Sequence, residues 1–408
     1  MKTSMLFRLA LRNVFRSKAR SGITIGALFF GVAMSLVLSA FVMGTGESLV
    51  NETIESRVGA IQVHRTGYFE KRDRQPLALN LPQDLQLERR LKAVPNVLAI
   101  TPRLSFAALI TNGSRGTIAV VSAVDPASLT AALPKSDLYL SGKPLSPGDR
   151  TGAQVGQELA HALGLEPGVP LMMQAQGLGG RDNALDLELR GLDTGQNPLE
   201  SKRTVRVPLS FAQLLLGMPG LVTEYVVAVE DLEALDQTAA ALRTELGPTF
   251  EVHTWAELRP SLRDARLLQR AILGGVSFVF LIIALFGVAN TLLMSVLERT
   301  REIGTLLAVG MTRGTVATLF MAEAMVQAVI GASAGLAVAL TIIGLARGAG
   351  GFLVSMGPGQ GAFQVVPVLL PMVPVLVVGG AIVGSVLAAV SPALRAARMR
   401  PVEALSSS

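Results

Sequence analysis

Not one of the 408 residues is a cysteine. That excludes a disulfide framework, a thiolate nucleophile and any sulfur-rich metal site, so each folded part must rest on its own packed core. Charge is scarce too, with 16% of residues charged against 50% hydrophobic. Such a chain is too apolar for a soluble globule and too polar to lie wholly in lipid, which leaves a mixed protein. Histidine is almost missing. His64, His161 and His253 lie far apart, without the HExxH pattern or carboxylate spacing of a metal centre, and read as strand or helix surface residues. A phosphate-cradling loop is also lacking. The one Gly-Lys pair, Gly142-Lys143, precedes Pro144 and has Asp137 where the first glycine of a Walker A loop should stand. Gly177–Gly180 lacks the strand and helix of a dinucleotide site and reads as a loop. No catalytic residue, bound cofactor or metal is expected.

What the chain does have is long uncharged runs: Ser21–Gly46, Ala271–Leu297, Ala324–Ala346 and Gly348–Leu394. A bilayer-spanning helix needs about 20 apolar residues. Four spans are therefore expected, at 21–46, 271–297, 314–346 and 366–390, the last placed beyond the Gly/Pro-rich lead-in Gly348–Gly361. Lys2, Arg8, Arg12, Arg16, Lys18 and Arg20 precede the first span without an acid. Arg299, Arg301 and Arg313 follow the second, and Arg395, Arg398 and Arg400 the fourth, whereas the stretch 347–365 carries only Arg347. The positive-inside rule then puts residues 1–20, the 298–313 connection and the tail 391–408 in the cytoplasm, and 47–270 and 347–365 outside. Residues 47–270 hold 23 Lys/Arg and 26 Asp/Glu. The isoelectric point near 10 thus comes from the cytoplasmic flanks, and nucleic-acid binding is a poor reading. The first apolar run is longer than the roughly 7–15 residues of a signal-peptide core, so an uncleaved anchor is expected.

Within 47–270, alternation marks strands at Val58–Arg65, Val97–Thr111, Thr117–Val124, Val222–Val229 and Phe250–His253, with helices at Pro82–Val94 and Glu230–Leu246. Two βαβ-like halves closing one α/β layer are expected. Thr151–Leu216, turn-rich, with a helical GQELAHALGL and β pieces at Pro170–Gln174 and Thr204–Pro208, reads as an inserted subdomain.

The 298–313 connection is the most informative segment. A charge cluster, Glu298-Arg299-Thr300-Arg301-Glu302, precedes an apolar stripe of Ile303, Leu306 and Leu307. Glu298 can pair with Arg301 and Arg299 with Glu302 at i,i+3, worth only about 0.2–0.5 kcal/mol each. Gly304 and Gly310 permit a bend at either end. A large apolar turn at the membrane surface asks for a partner. Glu323, an acid inside an apolar run, suits either helix packing or proton and substrate handling. Gly22/Gly26, Gly331/Gly335 and Gly380/Gly384 have the spacing of close helix contacts. Pro367, Pro371 and Pro374 are expected to set the start of span four. Phe7, Leu11, Val14 and Phe15 give residues 1–20 the pattern of an interfacial amphipathic helix.

The string Glu298–Gly310 resembles the cytoplasmic coupling segment of the FtsX-like ABC permeases, a family that includes lipoprotein-release permeases (LolC/LolE) and MacB-type efflux pumps. The tail, Pro392-Ala393-Leu394-Arg395-Ala396-Ala397-Arg398 and Pro401-Val402-Glu403-Ala404, resembles the same family. Ala60–His64 with Gly67-Tyr68 is similar to an element of lipoprotein-release permeases, and Gly156–Pro170 to one of the MacB-type periplasmic core domain. The resemblance implies an α-helical membrane protein with four transmembrane helices, one before and three after a large α/β extracytoplasmic domain, in a bacterial inner membrane. It implies a permease subunit of mechanotransmission type, paired with a second permease subunit, identical or paralogous. Two copies of a separate ABC ATPase would bind the ATP and Mg. Glu298, Arg301, Glu302, Ile303, Gly304, Leu306, Leu307 and Gly310 would couple to that ATPase. Phe29, Phe30, Met34, Phe41, Phe278 and Phe280 in spans one and two, chosen by position and bulk, would line a substrate cavity. The expected work is release of lipoproteins toward a periplasmic carrier. The alternatives are efflux of an amphiphilic peptide, toxin or macrolide through an adaptor and outer-membrane duct, or non-transporting activation of a cell-wall hydrolase.

Overall fold

A computed structural model describes residues 3–16, 18–138, 140–166, 171–194, 198–355 and 362–399. The tail string Pro401–Ala404 and the end of the Gly156–Pro170 element lie outside them, as does part of the Gly348–Gly361 lead-in. The chain divides into a helical unit, Met1–Glu47 with Ala265–Phe352 and Gln364–Ser408, and an α/β unit, Ser48–Asp264 with Leu353–Phe363.

The helical unit begins with α1 (Thr3–Arg16) and α2 (Lys18–Thr53) and continues with α5 (Pro260–Glu298), α6 (Thr300–Ala308), α7 (Arg313–Gly348) and α8 (Met372–Ala397). Helices α2, α5, α7 and α8 are long and apolar enough to cross a membrane. Helix α5 starts well before the expected span, because Pro260 opens a helix that polar residues continue. Helix α8 starts later than expected, at Met372, with Pro371 as its cap and Pro374 in its first turn, where a missing N–H leaves no bond unmade. Short strands at Phe352–Ser355 and Ala362–Val365 stand where a plain loop was expected.

Small residues let the spans approach closely. A Cβ added at Gly331 would sit 2.8 Å from the Ile25 carbonyl, and one at Gly335 2.7 Å from that of Phe29, so α7 seats against α2 through bare backbone. Gly384 receives the Leu285 side chain. A Cβ added at Gly22 or Gly26 would meet nothing within 4 Å among the described residues. Helix α1 was expected to present one apolar face to lipid, and the structure splits that face. Ala10 and Val14 are buried in a cluster with Leu319 and Val326 of α7, whereas Leu11 and Phe15 point outward.

The α/β unit is built on a ten-stranded sheet of β1 (Ile61–Arg65), β2 (Val97–Thr111), β3 (Gly116–Val124), β4 (Leu140–Gly142), β5 (Gly152–Gly156), β6 (Leu171–Gln176), β7 (Asp182–Asp193), β8 (Thr204–Pro208), β9 (Glu224–Val229) and β10 (Phe250–Thr254). The order is β10-β1-β9-β2-β3-β8-β5-β7-β4, with β6 against β2 and β7. Helix α3 (Leu85–Ala93) links β1 to β2 and α4 (Leu235–Leu246) links β9 to β10. Since β9 lies antiparallel between β1 and β2, and β1 antiparallel between β9 and β10, the two βαβ units are interleaved split units rather than adjacent halves.

Strand β2 explains the sheet's width. Its first half pairs with β9, and its second half runs on to pair with β3 and β6. Strands of 151–216 therefore extend the same sheet instead of forming the separate subdomain expected. Alternation sends Ile61, Val63, Leu104, Phe106, Val121, Val205, Tyr225 and Val227 to one face, where they join the main core with Leu91 of α3 and Leu242 of α4.

Candidate functional site

Helix α6 answers most directly to the coupling segment. Helix α5 ends at Glu298, where Arg299 leaves the helical region, and α6 starts at Thr300. Its far end is closed by Gly310 at φ +97°, with Gly310 N donating to Leu307 O at 3.1 Å and Met311 N to Leu306 O at 3.0 Å. Those two bonds form a Schellman motif, which needs a left-handed residue and so favours glycine. Thr312 then caps α7 by accepting from Thr315 N. Gly310 is thus a bend, as expected, whereas Gly304 is buried in mid-helix and bends nothing.

The expected apolar stripe divides into two faces. Ile303, 2% exposed, packs with Val296, Val316, Phe320, Ala393 and Ala396, and Leu307 rests against the same cluster. This inner face fastens α6 to the ends of α5, α7 and α8. Leu306 turns away, and Val309 beyond it is 84% exposed; Arg301, Glu302 and Thr305 share that outer side. Val309 was missed because it lies past the periodic stripe.

Ion pairs tie this turn to the amino terminus. Arg299 meets Glu302 at 3.0 Å, as spacing allowed. Glu298, expected to pair with Arg301, is bonded instead to Arg20, while Arg16 reaches Glu302 at 2.8 Å. The Arg299 hydrogen bond, helped by Arg16, holds the Glu302 carboxyl below its usual range. Arg299 also lies 3.5 Å from Glu323, which is 2% exposed on α7. Opposite charge was the only sequence signal for the Arg16 and Arg20 contacts.

The six residues chosen for a substrate cavity are not gathered together within one chain. Phe30 (71% exposed), Met34 and Phe278 lie on the outer surface of the helical unit, and Phe29, Phe41 and Phe280 are half-buried. Phe29 meets Phe30 edge-on, with centroids 5.0 Å apart, and Phe41 faces Phe352 at 6.4 Å. Ile272, Val279, Ile283, Phe286, Met294 and Leu297 continue the outward surface along α5 at helical spacing.

The α/β unit holds a polar centre that sequence reading passed over. On the sheet face opposite the core, Arg103 bonds Glu224, and Ser105 Oγ donates to Glu224 at 2.8 Å. His64 Nδ1 lies 3.6 Å from the same carboxylate, and the imidazole stacks on Tyr68 at 4.6 Å. His64 was expected at the surface; it is 2% exposed, because Tyr68 and the segment after α2 cover its face of the sheet. Burial pushes the imidazole below the ordinary histidine value against the pull of Glu224. For Glu224, burial alone would raise the pKa, but Arg103 and His64 outweigh it and hold the carboxyl low. His253 stacks on Phe69 and bonds Glu257 at 2.9 Å. Among the described residues no group of side chains is arranged to hold a metal ion.

Four helices long and apolar enough to cross a membrane, with an α/β domain inserted in the chain between the first and the second, are the layout of a helical membrane permease. A family model described as "MacB-like periplasmic core domain" matches residues 21–245, and "FtsX-like permease C-terminal" matches 274–401. The chain belongs to this MacB-like, FtsX-type permease family of ABC transporters. The macrolide export ATP-binding/permease protein MacB of Azoarcus sp. (strain BH72) is 27% identical over 413 residues, covering 98% of this chain and 59% of that protein. The pyoverdine export ATP-binding/permease protein PvdT of Pseudomonas syringae pv. tomato is 29% identical over 232 residues, covering 54% of this chain and 32% of that protein. The chain thus spans less than two thirds of the length of these curated relatives. The periplasmic region of MacB from Actinobacillus actinomycetemcomitans is similar over 50% of this chain and 92% of that one, at 12% identity and a TM-score of 0.35.

Proposed function

We propose that this chain is the permease part of a mechanotransmission ABC transporter, acting on an amphiphilic substrate at the outer side of the inner membrane. The observation that carries the reading is the two-faced helix α6. Ile303 and Leu307 fasten it to the span ends, while Leu306 and Val309 offer apolar surface outward between charges. A soluble ATPase, supplied as a separate subunit or as a further domain, would press on that outer face. The push would pass through the inner cluster into α5, α7 and α8, and through the Arg16 and Arg20 pairs into α1 and α2. Two permease halves would be driven by two ATPase copies holding ATP and Mg. Glu323, facing Arg299, is assigned to packing at this junction rather than to proton transfer.

The cargo reading is export of a small amphiphile, favoured by relatives named for macrolide and pyoverdine export. Lipoprotein release, with a periplasmic carrier, is the second reading. It is favoured by the outward Phe30, Met34 and Phe278, which suit acyl chains worth about 0.8 kcal/mol per buried CH₂. The arginine asymmetry puts both termini and α6 in the cytoplasm and the α/β unit in the periplasm.

Leu306→Asp with Val309→Asp, in protein reconstituted with its ATPase, should cut substrate-stimulated ATP turnover at least about ten-fold, the worth of one lost apolar contact. Trp255 fluorescence should stay native. Unchanged stimulation would remove the coupling assignment. In intact cells a cysteine at Ser141 should react with a membrane-impermeant thiol reagent and one at Thr312 should not; labelling at Thr312 would reverse the topology.

A further inference from the structure

The second face of the ten-stranded sheet is covered over part of its width, although Ile118 and Val120 on it are exposed. Positions alternating with the core residues, Gln62, His64, Arg103, Gln154 and Glu224, are each under a tenth exposed. They form the floor of a cavity of about 510 Å³ inside the α/β unit. Its roof comes from Ser56–Val58, in the π-helical turn Ile54–Val58, together with Tyr68, Phe69, Arg72, Leu129, Leu133 and Leu258. That volume falls within the range of roughly 300–1,000 Å³ of small-molecule sites, and an apolar wall beside a few converging polar groups is their usual make-up. Single-turn π-helices also recur at functional sites.

The polar inventory indicates the kind of ligand. The inner arginines are matched: Arg57 with Glu200 and Asp193, Arg103 with Glu224, Arg206 with Asp137, and Arg259 with Glu200. Arg72 and Arg203 also line the cavity and have no carboxylate partner among the described residues, Arg72 lying 4.0 Å over the Phe69 ring. In all, six arginines line the space against four carboxylates, Asp73, Asp193, Glu200 and Glu224. Inside it, the buried hydroxyls Ser56 Oγ and Thr204 Oγ1 have no hydrogen-bond partner among the described residues. Buried polar atoms are rarely left so, since each carries a desolvation cost that only a partner offsets.

We propose that this cavity binds a small amphiphilic anion, its acidic head bonded by Ser56, Thr204 and Arg203 and its apolar body against Leu129, Leu133 and Leu258. The site is independent of which cargo is moved and needs no nucleotide, so its failure would leave the coupling assignment intact.

Trp255 makes the test direct. It is the single tryptophan of the chain and begins the short helix Trp255–Leu258, whose last residue lines the cavity. Full-length protein in nanodiscs would be titrated with hexylphosphonate, hexylammonium and hexanol, three probes that share a tail and differ in head. Hexylphosphonate should give a saturable change in Trp255 emission, and the other two none. Arg203→Glu, at the exposed rim, should weaken phosphonate binding about ten-fold, with Arg203→Lys retaining most of it. Ser122→Phe, filling the floor, should abolish binding in protein whose circular dichroism is unchanged. Equal responses to all three heads would mean partition into apolar surface and overturn the site. Equal phosphonate affinity in wild type and Arg203→Glu would overturn it as well.

Discussion

The two units of this chain solve burial in opposite ways. In the helical unit, large apolar side chains such as Phe30, Phe278 and Phe286 point outward, while the inside sets Ala284, Ala328, Ala332 and bare glycine backbone among Leu28, Leu36 and Leu292. In the α/β unit, Leu104, Phe106 and Tyr225 are wholly inside, and the charges Arg103 and Glu224 are buried on the opposite sheet face. The difference follows from the solvent. Lipid gives no hydrophobic drive to bring large side chains together, so spans associate through close packing of small ones. Water expels them, and a sheet with two covered faces must then satisfy whatever polar groups the second face carries.

The sharpest way to break this contrast is at the buried pair. Arg103→Leu should destabilise the α/β unit by about 3–5 kcal/mol, because Glu224 would stay buried without its partner. Adding Glu224→Leu should restore most of the loss. Denaturant unfolding followed at Trp255 reads both, and a double variant no better than the single one would count against a paired burial.

A smaller effect is expected in the helical unit. Gly331→Leu should cost about 1–3 kcal/mol by overpacking against Ile25 and Leu28, read as loss of monodisperse protein on size exclusion. Gly22→Leu, at a position where an added Cβ meets nothing within 4 Å among the described residues, should be neutral. Equal damage at the two glycines would end the claim that α7 seats against α2 through bare backbone.

The smallest effect is one of pH. His64 has a folded-state pKa below its ordinary value and Glu224 likewise, so for both the unfolded chain binds more protons as the pH falls. Both contributions are present at neutral pH and lost on acidification, His64 acting first, from about pH 6.5 downward. The Trp255 melting midpoint should therefore fall between about pH 7 and pH 5, and His64→Gln should flatten that slope. A wild-type midpoint that is level, or rises, over this interval would contradict the buried neutral imidazole.

Much of this was legible in the residues. The four long helices could be read because an uncharged run of span length has few other uses, and the strands at 97–111, 204–208 and 250–253 because alternation is a local property. The turn at Gly310 could be anticipated from its glycine. Less legible was which face of α6 is free: Ile303, Leu306 and Leu307 read as one stripe, and only the position of Phe320 and Ala396 separates them. The expected subdomain at 151–216 dissolved for a related reason, since β2 is long enough to serve two sets of partners and sequence alone does not say which strand pairs with which.

By itself, then, the sequence determined the number of long apolar helices and the alternation of each strand, both set by local composition against water or lipid. The tertiary structure alone decided that Arg16 and Arg20 meet Glu302 and Glu298 from the far end of the chain. It also decided that the interleaved strands bring His64, Arg103 and Glu224 together under one roof. Such contacts join residues whose separation along the chain carries no periodic signal, so nothing short of the folded packing could have paired them.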